Sequence, residues 1–187
     1  MNSLLRSIDI VAAVLGLLCL APILAILYVI GLFDTGSPLF RQQRLGRNQQ
    51  PFILVKFRTM RPDTESVATH LASASAITRF GAFLRKTKLD ELPQLWNVLK
   101  GEMSLVGPRP GLANQTELTA AREQHGVFAA RPGITGLAQV SAIDMSTPEL
   151  LAKTDAQMIA TLTLVYYFKY IMMTVTGKGS GDRIRTR

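Results

Sequence analysis

The sequence predicts a mostly helical α+β protein with an apolar N-terminal membrane segment followed by one small domain. The prediction comes from an uncharged run near the N-terminus, and from helical apolar spacing that outweighs strand alternation in the rest of the chain. A length of 187 residues allows one domain with an appendage rather than two large domains. We expect a membrane segment over 1–36, a cytoplasmic domain over 37–176 and a flexible basic tail over 177–187.

The membrane segment is the run from Ile10 to Phe33, "IVAAVLGLLCLAPILAILYVIGLF". Its length of about 24 residues exceeds the 20 or so that cross a hydrocarbon core. The run is longer than the apolar region of a cleaved signal peptide, and no clear cleavage site follows it. Pro22 at its centre removes a helical hydrogen bond, and each half extends only about 18 Å, less than the thickness of the core.

The charges beside this run bear on its orientation. Arg6 precedes it and three arginines follow it, so the positive-inside rule draws both ends to the cytoplasmic side. A helix-break-helix hairpin that re-enters one leaflet satisfies both ends. A transmembrane helix with a tolerated proline kink is the alternative, and these residues favour the hairpin only slightly.

After the membrane segment the chain is predicted to form a loop and then a strand. Gly36 and Pro38 interrupt "DTGSPLFRQQRLGRNQQ", and its three arginines, Arg41, Arg44 and Arg47, are expected at the level of the lipid headgroups. "PFILVKFRTM" alternates as a strand does. One face of this strand carries Ile53, Val55 and Phe57, and the other carries Lys56, Arg58 and Met60. Residues 61–76 are predicted to be a loop or a weak helix.

Helices are predicted from Ile77 onward. "ITRFGAFLRKTK" has the spacing of a basic amphipathic helix, which would suit a membrane surface. Residues 148–160 predict a helix with Asp155 exposed. The aromatic stretch "ATLTLVYYFKYIMMTV" is too short to span a bilayer, so it suits either a core helix or an interfacial one.

An acid pair, Asp90 and Glu91, stands immediately before another predicted helix. Pro93 suits the start of that helix and Gly101 its end. Helix capping alone would need only one acid. After the helix, "VGPRPG" places Arg109 between two prolines that restrict its backbone, so its guanidinium loses little entropy on binding a diphosphate.

Charge and composition leave several kinds of partner open. The net charge of +8 attracts nucleic acid, anionic membranes or phosphate-rich substrates. Cys19 is the only cysteine, which excludes an internal disulfide and a cysteine metal cluster, and His70 and His125 are too isolated to indicate a metal site. Together with the acid pair, Arg58, Arg85, Arg109 and Arg131 are candidate phosphate ligands. This set suits phosphoryl transfer on a lipid, with a divalent metal assisting a carboxylate nucleophile.

The segments "LRKTKLDELPQLWNVLKGEMSLVGPRP" and "RPGITGLAQV" strongly resemble the small monotopic phosphoglycosyl transferases. This bacterial sugar transferase family forms the catalytic core of undecaprenyl-phosphate sugar phosphotransferases. The resemblance implies transfer of a phospho-sugar from a UDP-sugar to undecaprenyl phosphate, with release of UMP and dependence on Mg²⁺. It places the enzyme at the cytoplasmic face of the bacterial inner membrane, at the first membrane step of a lipid-linked glycan pathway.

The resemblance also implies residue roles. Asp90 matches the nucleophile that forms a covalent phospho-sugar aspartate, and Glu91 matches its partner acid, so both are predicted metal ligands. Arg109 matches the family's phosphate-binding arginine, and Arg85 and Arg131 are further anion partners. The hairpin of the family is re-entrant and breaks at a proline that matches Pro22. In many members a serine precedes that proline, whereas this chain has Ala21.

Two other classes of function compete with this one. A non-catalytic module that binds anionic lipid through its basic face would explain the charge and the membrane segment, but not the acid pair beside a stiffly held Arg109. A nucleic-acid binder is disfavoured because the chain carries no recognised reading motif. The expected partners are therefore a UDP-sugar, undecaprenyl phosphate and a phospholipid membrane, without nucleic acid, and the chain is compatible with a homo-oligomer.

Overall fold

A computed structural model describes residues 3–64 and 74–177 and confirms a mostly helical α+β protein. Residues 65–73 and 178–187 lie outside the described residues. They contain His70, most of the expected loop over 61–76 and most of the expected tail. The helices are α1 (Ser3–Thr35), α2 (Arg79–Thr87), α3 (Gln94–Lys100), α4 (Thr116–Gln124), α5 (Leu137–Val140), α6 (Pro148–Thr161) and α7 (Leu164–Val175). The strands are β1 (Leu39–Leu45), β2 (Pro51–Phe57), β3 (Ser104–Val106) and β4 (Gly133–Thr135).

The N-terminal helix α1 is, among the described residues, the one helix long and apolar enough to cross a membrane. Its helical structure continues through Pro22, and the re-entrant geometry in a bilayer stays a prediction. A narrow buried stripe faces the domain on both sides of Pro22: Leu5 packs with Tyr167, and Leu27 packs with Phe57. The rest of the helix surface is largely exposed and apolar, with side chains such as Leu18 and Phe33 facing outward.

The first half of α1 is fixed to the domain by a buried carboxylate. Asp9 is fully buried and accepts hydrogen bonds from the Tyr167 hydroxyl at 2.6 Å, the Ser104 hydroxyl at 3.0 Å and the Leu105 amide at 2.8 Å. Burial and the Asp9 carboxylate raise the pKa of Tyr167, so its hydroxyl stays protonated and donates. The cluster joins α1 to α7 and β3. It could not be predicted from the sequence, because an acid at the edge of an apolar run ordinarily marks a helix end.

The predicted strand at β2 is confirmed, but the segment before it is a strand rather than a loop. β1 pairs antiparallel with β2, with Gln42 opposite Leu54 and Arg44 opposite Phe52. Because the buried positions of β1 are polar, the segment lacks the apolar alternation that identifies a strand. In β2 it is Phe52 and Leu54 that enter the core, together with Phe57, whereas Ile53 is exposed.

The two sequence motifs "VGPRP" and "RPGITG" contact each other through their backbones. β3 and β4 pair in parallel, the Gly107 amide donates to the Thr135 carbonyl, and the Gly133 amide donates to the Pro108 carbonyl, both at 2.8 Å. A Cβ on Gly133 would lie 2.0 Å from the Gly107 nitrogen, so only glycine fits there. The "VGPRP" loop is therefore held directly against "RPGITG".

The C-terminal helices close the domain. The helix predicted over 148–160 is confirmed as α6. In α7 one face is buried through Tyr167 and Tyr170, while Phe168, Met172 and Val175 on the outer face are exposed. The helix thus combines both properties predicted for it, since one side packs in the core and the other presents an apolar surface.

Replacement of Asp9 by alanine tests the attachment of α1. Asp9→Ala removes the acceptor of three buried donors, and each buried donor left without a partner costs about 1–3 kcal/mol. We expect a clearly lower thermal midpoint of the protein in nanodiscs. Asp34→Ala is the matched control, because Asp34 lies near the other end of the same helix and its bond to the Thr78 hydroxyl is exposed. Equal losses in the two variants would contradict this account.

Candidate active site

The acid pair lies in a single 3-10 turn, Leu89–Glu91, between α2 and α3. Lys88 ends α2 with a left-handed backbone (φ 58°), which reverses the chain and directs the turn into the domain. Asp90 is 7% exposed and Glu91 is half-buried. The prediction that both acids immediately precede a helix is confirmed, with Pro93 at the start of α3 and Gly101 at its end.

Arg109 is brought to this turn by the loop that follows β3. Its Nη2 donates to Glu91 Oε1 at 3.1 Å, and both side chains are largely buried. The predicted association of the acid pair with the arginine between two prolines is therefore present as an ion pair. A guanidinium in a partly desolvated position is suited to oxygen-rich anions.

Two further arginines bind the backbone that directly follows the Arg109 side chain. Arg122 Nη1 donates to the Arg109 carbonyl at 2.8 Å, and Arg44 Nη1 donates to the Pro110 carbonyl at 3.1 Å. The Leu45 amide also donates to the Gly111 carbonyl. Arg44 is 7% exposed, so the prediction that it lies among the lipid headgroups is wrong. Its guanidinium binds groups inside the domain instead.

Arg122 is itself held by a buried carboxylate. Its Nε and Nη2 donate to Asp155 Oδ2 at 3.1 and 2.7 Å, and Asp155 is fully buried, which corrects the expectation that it is exposed. Burial raises the pKa of the Asp155 carboxyl, and the charge and hydrogen bonds of Arg122 limit that rise. The helical spacing of Leu151, Asp155 and Met158 places the acid on the buried face of α6, a signal that was available in the sequence.

The other predicted phosphate ligands lie in different surroundings. Arg85 Nε donates to the Thr59 hydroxyl at 2.8 Å, and Arg58 Nε donates to the Ser37 carbonyl at 2.9 Å with its guanidinium against Phe40. Arg131 Nε donates to the Gly101 carbonyl at 2.9 Å, at the end of α3 opposite to the acid pair. The structure brings Arg109 to Glu91 of the acid pair, whereas Arg131 binds the opposite end of α3, and the phosphate-binding roles stay predictions.

The two carboxylates are a donor set that fits Mg²⁺. Within the described residues no group of three or more His, Cys, Asp or Glu side chains could hold a metal ion. Mg²⁺ commonly binds through one or two carboxylates and completes its shell with water and substrate phosphates, so a larger protein cage is not needed. Asp90 and Glu91 are the residues that would hold it.

The family is decided by sequence comparison. The sequence profile of the family described as "Bacterial sugar transferase" matches residues 1–178. This chain belongs to that family. The resemblance seen in the two motifs is thereby confirmed, and the match also covers the apolar helix α1 and the C-terminal helix α7 of this sugar transferase.

Its relatives come from several bacteria. A UDP-glucose:undecaprenyl-phosphate glucose-1-phosphate transferase of Caulobacter vibrioides is 41% identical over 180 residues, 91% of this chain and 67% of the relative. A UDP-galactose-lipid carrier transferase of Erwinia amylovora is 41% identical over 153 residues, 73% of this chain and 32% of the relative. The exopolysaccharide production protein PSS of Rhizobium leguminosarum is 40% identical over 178 residues, 89% of this chain and 88% of the relative. This sugar transferase thus spans between a third and nine tenths of these relatives.

Substitution of Asp155 tests the support of the Arg109 loop. Asp155→Asn keeps the shape of the side chain but leaves the Arg122 charge buried without its counter-ion, which costs about 3–5 kcal/mol for a buried ion pair. We expect a lower thermal midpoint. Glu149→Gln on the same helix removes a carboxylate that pairs with His125 and Lys153 at the surface, and it should leave the midpoint near that of the wild type. A stable Asp155→Asn protein would show that the buried pair does not hold the loop.

Proposed function

We propose that this sugar transferase moves a phospho-sugar from a UDP-sugar to undecaprenyl phosphate and releases UMP. The observation that carries the proposal is the contact of Glu91 with Arg109 beside the buried Asp90, in a domain that presents apolar helices on its outside. The names of the relatives support the same class of substrates, because they include transferases that use undecaprenyl phosphate or a lipid carrier.

The reaction is proposed to proceed in two displacements at one phosphorus atom. A carboxylate oxygen of Asp90 attacks the sugar-bearing phosphorus of the UDP-sugar, the bond to the bridging oxygen breaks, and UMP leaves with that oxygen. The acceptor's phosphate oxygen then attacks the same phosphorus, which restores the Asp90 carboxylate and forms the lipid diphospho-sugar. Dividing the transfer in this way lets one carboxylate serve two substrates that need not be bound together.

Charge neutralisation is the main contribution required of the other residues. The planar guanidinium of Arg109 suits the paired oxygens of the diphosphate, and its backbone is fixed by Arg122 and Arg44 before substrate arrives. Glu91 holds that guanidinium in place and can accept or return a proton. Mg²⁺ held by Asp90 and Glu91 would supply further positive charge to the phosphate oxygens.

The location follows from the same proposal. The exposed apolar faces of α1 and α7 would lie in the membrane, with the acid pair at its cytoplasmic surface where nucleotide sugars are available. A homo-oligomer stays a prediction. The alternative of a non-catalytic lipid-binding module is less well supported, because such a module has no use for an acid pair whose Glu91 binds an arginine with a backbone held by two other arginines.

The first test is UMP release from a panel of UDP-sugars that includes UDP-glucose and UDP-galactose. The protein in nanodiscs is supplied with Mg²⁺ and undecaprenyl phosphate, and Asp90→Asn is compared with Glu123→Gln, an exposed acid on α4. We expect release by the wild type and Glu123→Gln, and a loss of at least about 10³-fold in Asp90→Asn because the nucleophile is removed. Full activity of Asp90→Asn would exclude the proposed nucleophile.

The covalent step is tested without acceptor. A two-displacement mechanism predicts that the wild type releases about one UMP per enzyme from its donor when undecaprenyl phosphate is absent, and then stops. Sugar radioactivity should remain on the protein and leave it when the acceptor is added. UMP that forms only when both substrates are present would instead indicate direct transfer.

A further inference from the structure

An apolar cavity of about 310 Å³ lies beside the acid pair. Its walls come from α3, β3, β4 and α7, through Leu95, Leu105, Ile134 and Ile171. The volume is at the lower end of the range for small-molecule sites. Its lining is mainly aliphatic, with threonine side chains at Thr87, Thr135 and Thr174, so it suits a short length of branched hydrocarbon better than the many polar groups of a nucleotide or sugar.

One end of the cavity is charged. Lys88 and Glu91 form part of its lining, and Lys88 Nζ donates to the Thr174 carbonyl near the end of α7 at 3.3 Å. Lys88 is half-buried, so its ammonium is partly withdrawn from water. A partly desolvated ammonium gains most from an anion that arrives beside it, because the new partner compensates for lost hydration.

The cavity opens toward the apolar exterior. Val175 lines it and is 75% exposed, on the same outer face of α7 that presents Met172. On another side α1 approaches the cavity wall so closely that a Cβ on Gly16 would lie 3.0 Å from Leu95 Cδ1. Hydrocarbon held between two helices with apolar outer faces could therefore enter the cavity without crossing water.

We infer that this cavity binds the first isoprenoid units of the lipid acceptor and that Lys88 binds the acceptor's phosphate. The inference rests on the proposed function, which makes the acceptor a polyprenyl phosphate. An anionic head joined to branched hydrocarbon is complementary to a cation at one end of an aliphatic cavity. Glu91, the neighbour of Asp90 in the same turn, lines the cavity together with Lys88, so a phosphate bound by Lys88 would lie next to the turn that carries the nucleophile.

Obstruction of the opening provides the first test. Val175→Trp places a large ring at a position that is already 75% exposed, so the fold should be retained. Val165→Trp is the matched control, since Val165 is 76% exposed on the same helix and does not line the cavity. In nanodiscs of phosphatidylethanolamine and phosphatidylglycerol, we expect Val175→Trp to raise the KM for undecaprenyl phosphate at least tenfold. The acceptor-free release of UMP should be unchanged in both variants.

Substitution at Lys88 tests the phosphate contact. Lys88→Met keeps the aliphatic stem but removes the charge, and we expect the KM for undecaprenyl phosphate to rise about tenfold, with partial recovery in Lys88→Arg. Lys86→Met removes an exposed cation from the same segment and should have little effect. Farnesyl phosphate, with three isoprenoid units, should compete with undecaprenyl phosphate in the wild type and compete poorly in Val175→Trp.

The outcomes separate this inference from the function on which it rests. If the wild type releases no UMP from any donor, the proposed function itself fails. If that release is normal but Val175→Trp and Lys88→Met keep the wild-type KM for undecaprenyl phosphate, the assignment of the cavity is wrong. The inference is also overturned if photoactivatable phosphatidylglycerol labels the cavity lining and undecaprenyl phosphate does not displace it, because the cavity would then hold a membrane phospholipid.

Discussion

The buried carboxylate of Asp9 holds the N-terminal helix to the elements that carry the candidate site. Through the Tyr167 hydroxyl it fixes α7, and through Ser104 and Leu105 it fixes β3, the strand that leads to Arg109. Arg6, one helical turn earlier, donates to the Val98 carbonyl at the end of α3, whose other end follows the acid pair. Helix α1 and the site therefore belong to one packed unit, and the position of α1 in a bilayer would set the position of the site.

Several arginines of the chain donate hydrogen bonds to backbone carbonyls inside the domain. Arg122 and Arg44 donate to the carbonyls of Arg109 and Pro110. Arg6 and Arg131 donate to carbonyls at the end of α3. An arginine suits this task because its donors reach a carbonyl while its charge faces the negative end of a helix or a carboxylate. The net charge of +8 thus overstates the number of cations offered to a phosphate-rich partner, and it is a weak guide to function.

The acid pair has charged surroundings on one side and apolar surroundings on the other. Arg109 and its two supporting arginines lie on the side of the Pro-Arg-Pro loop, where a charged donor can be neutralised. Lys88 and the aliphatic cavity lie on the side of α7, where the exposed surface is apolar. A carboxylate placed between these two environments can meet a water-soluble substrate and a lipid in turn, which is the requirement of transfer between the two phases.

Composition and short-range spacing were enough to predict most local elements and to identify Asp90, Glu91 and Arg109 as candidate functional residues. The apolar run, the helices at α3 and α6 and the placement of Asp90 and Glu91 before a helix follow from composition and short-range spacing, and two motifs identified the family. The folded chain was needed to show the partners of the buried charges. Asp9, Arg44 and Asp155 each bind a residue more than 30 positions away, which no local pattern encodes, although helical spacing does place Asp155 on a buried face. The tertiary structure also converted an expected loop into β1, because the pairing with β2 compensates for its polar buried face. The pairing of buried charges is a long-range property, so the partners could be known only once the chain was folded.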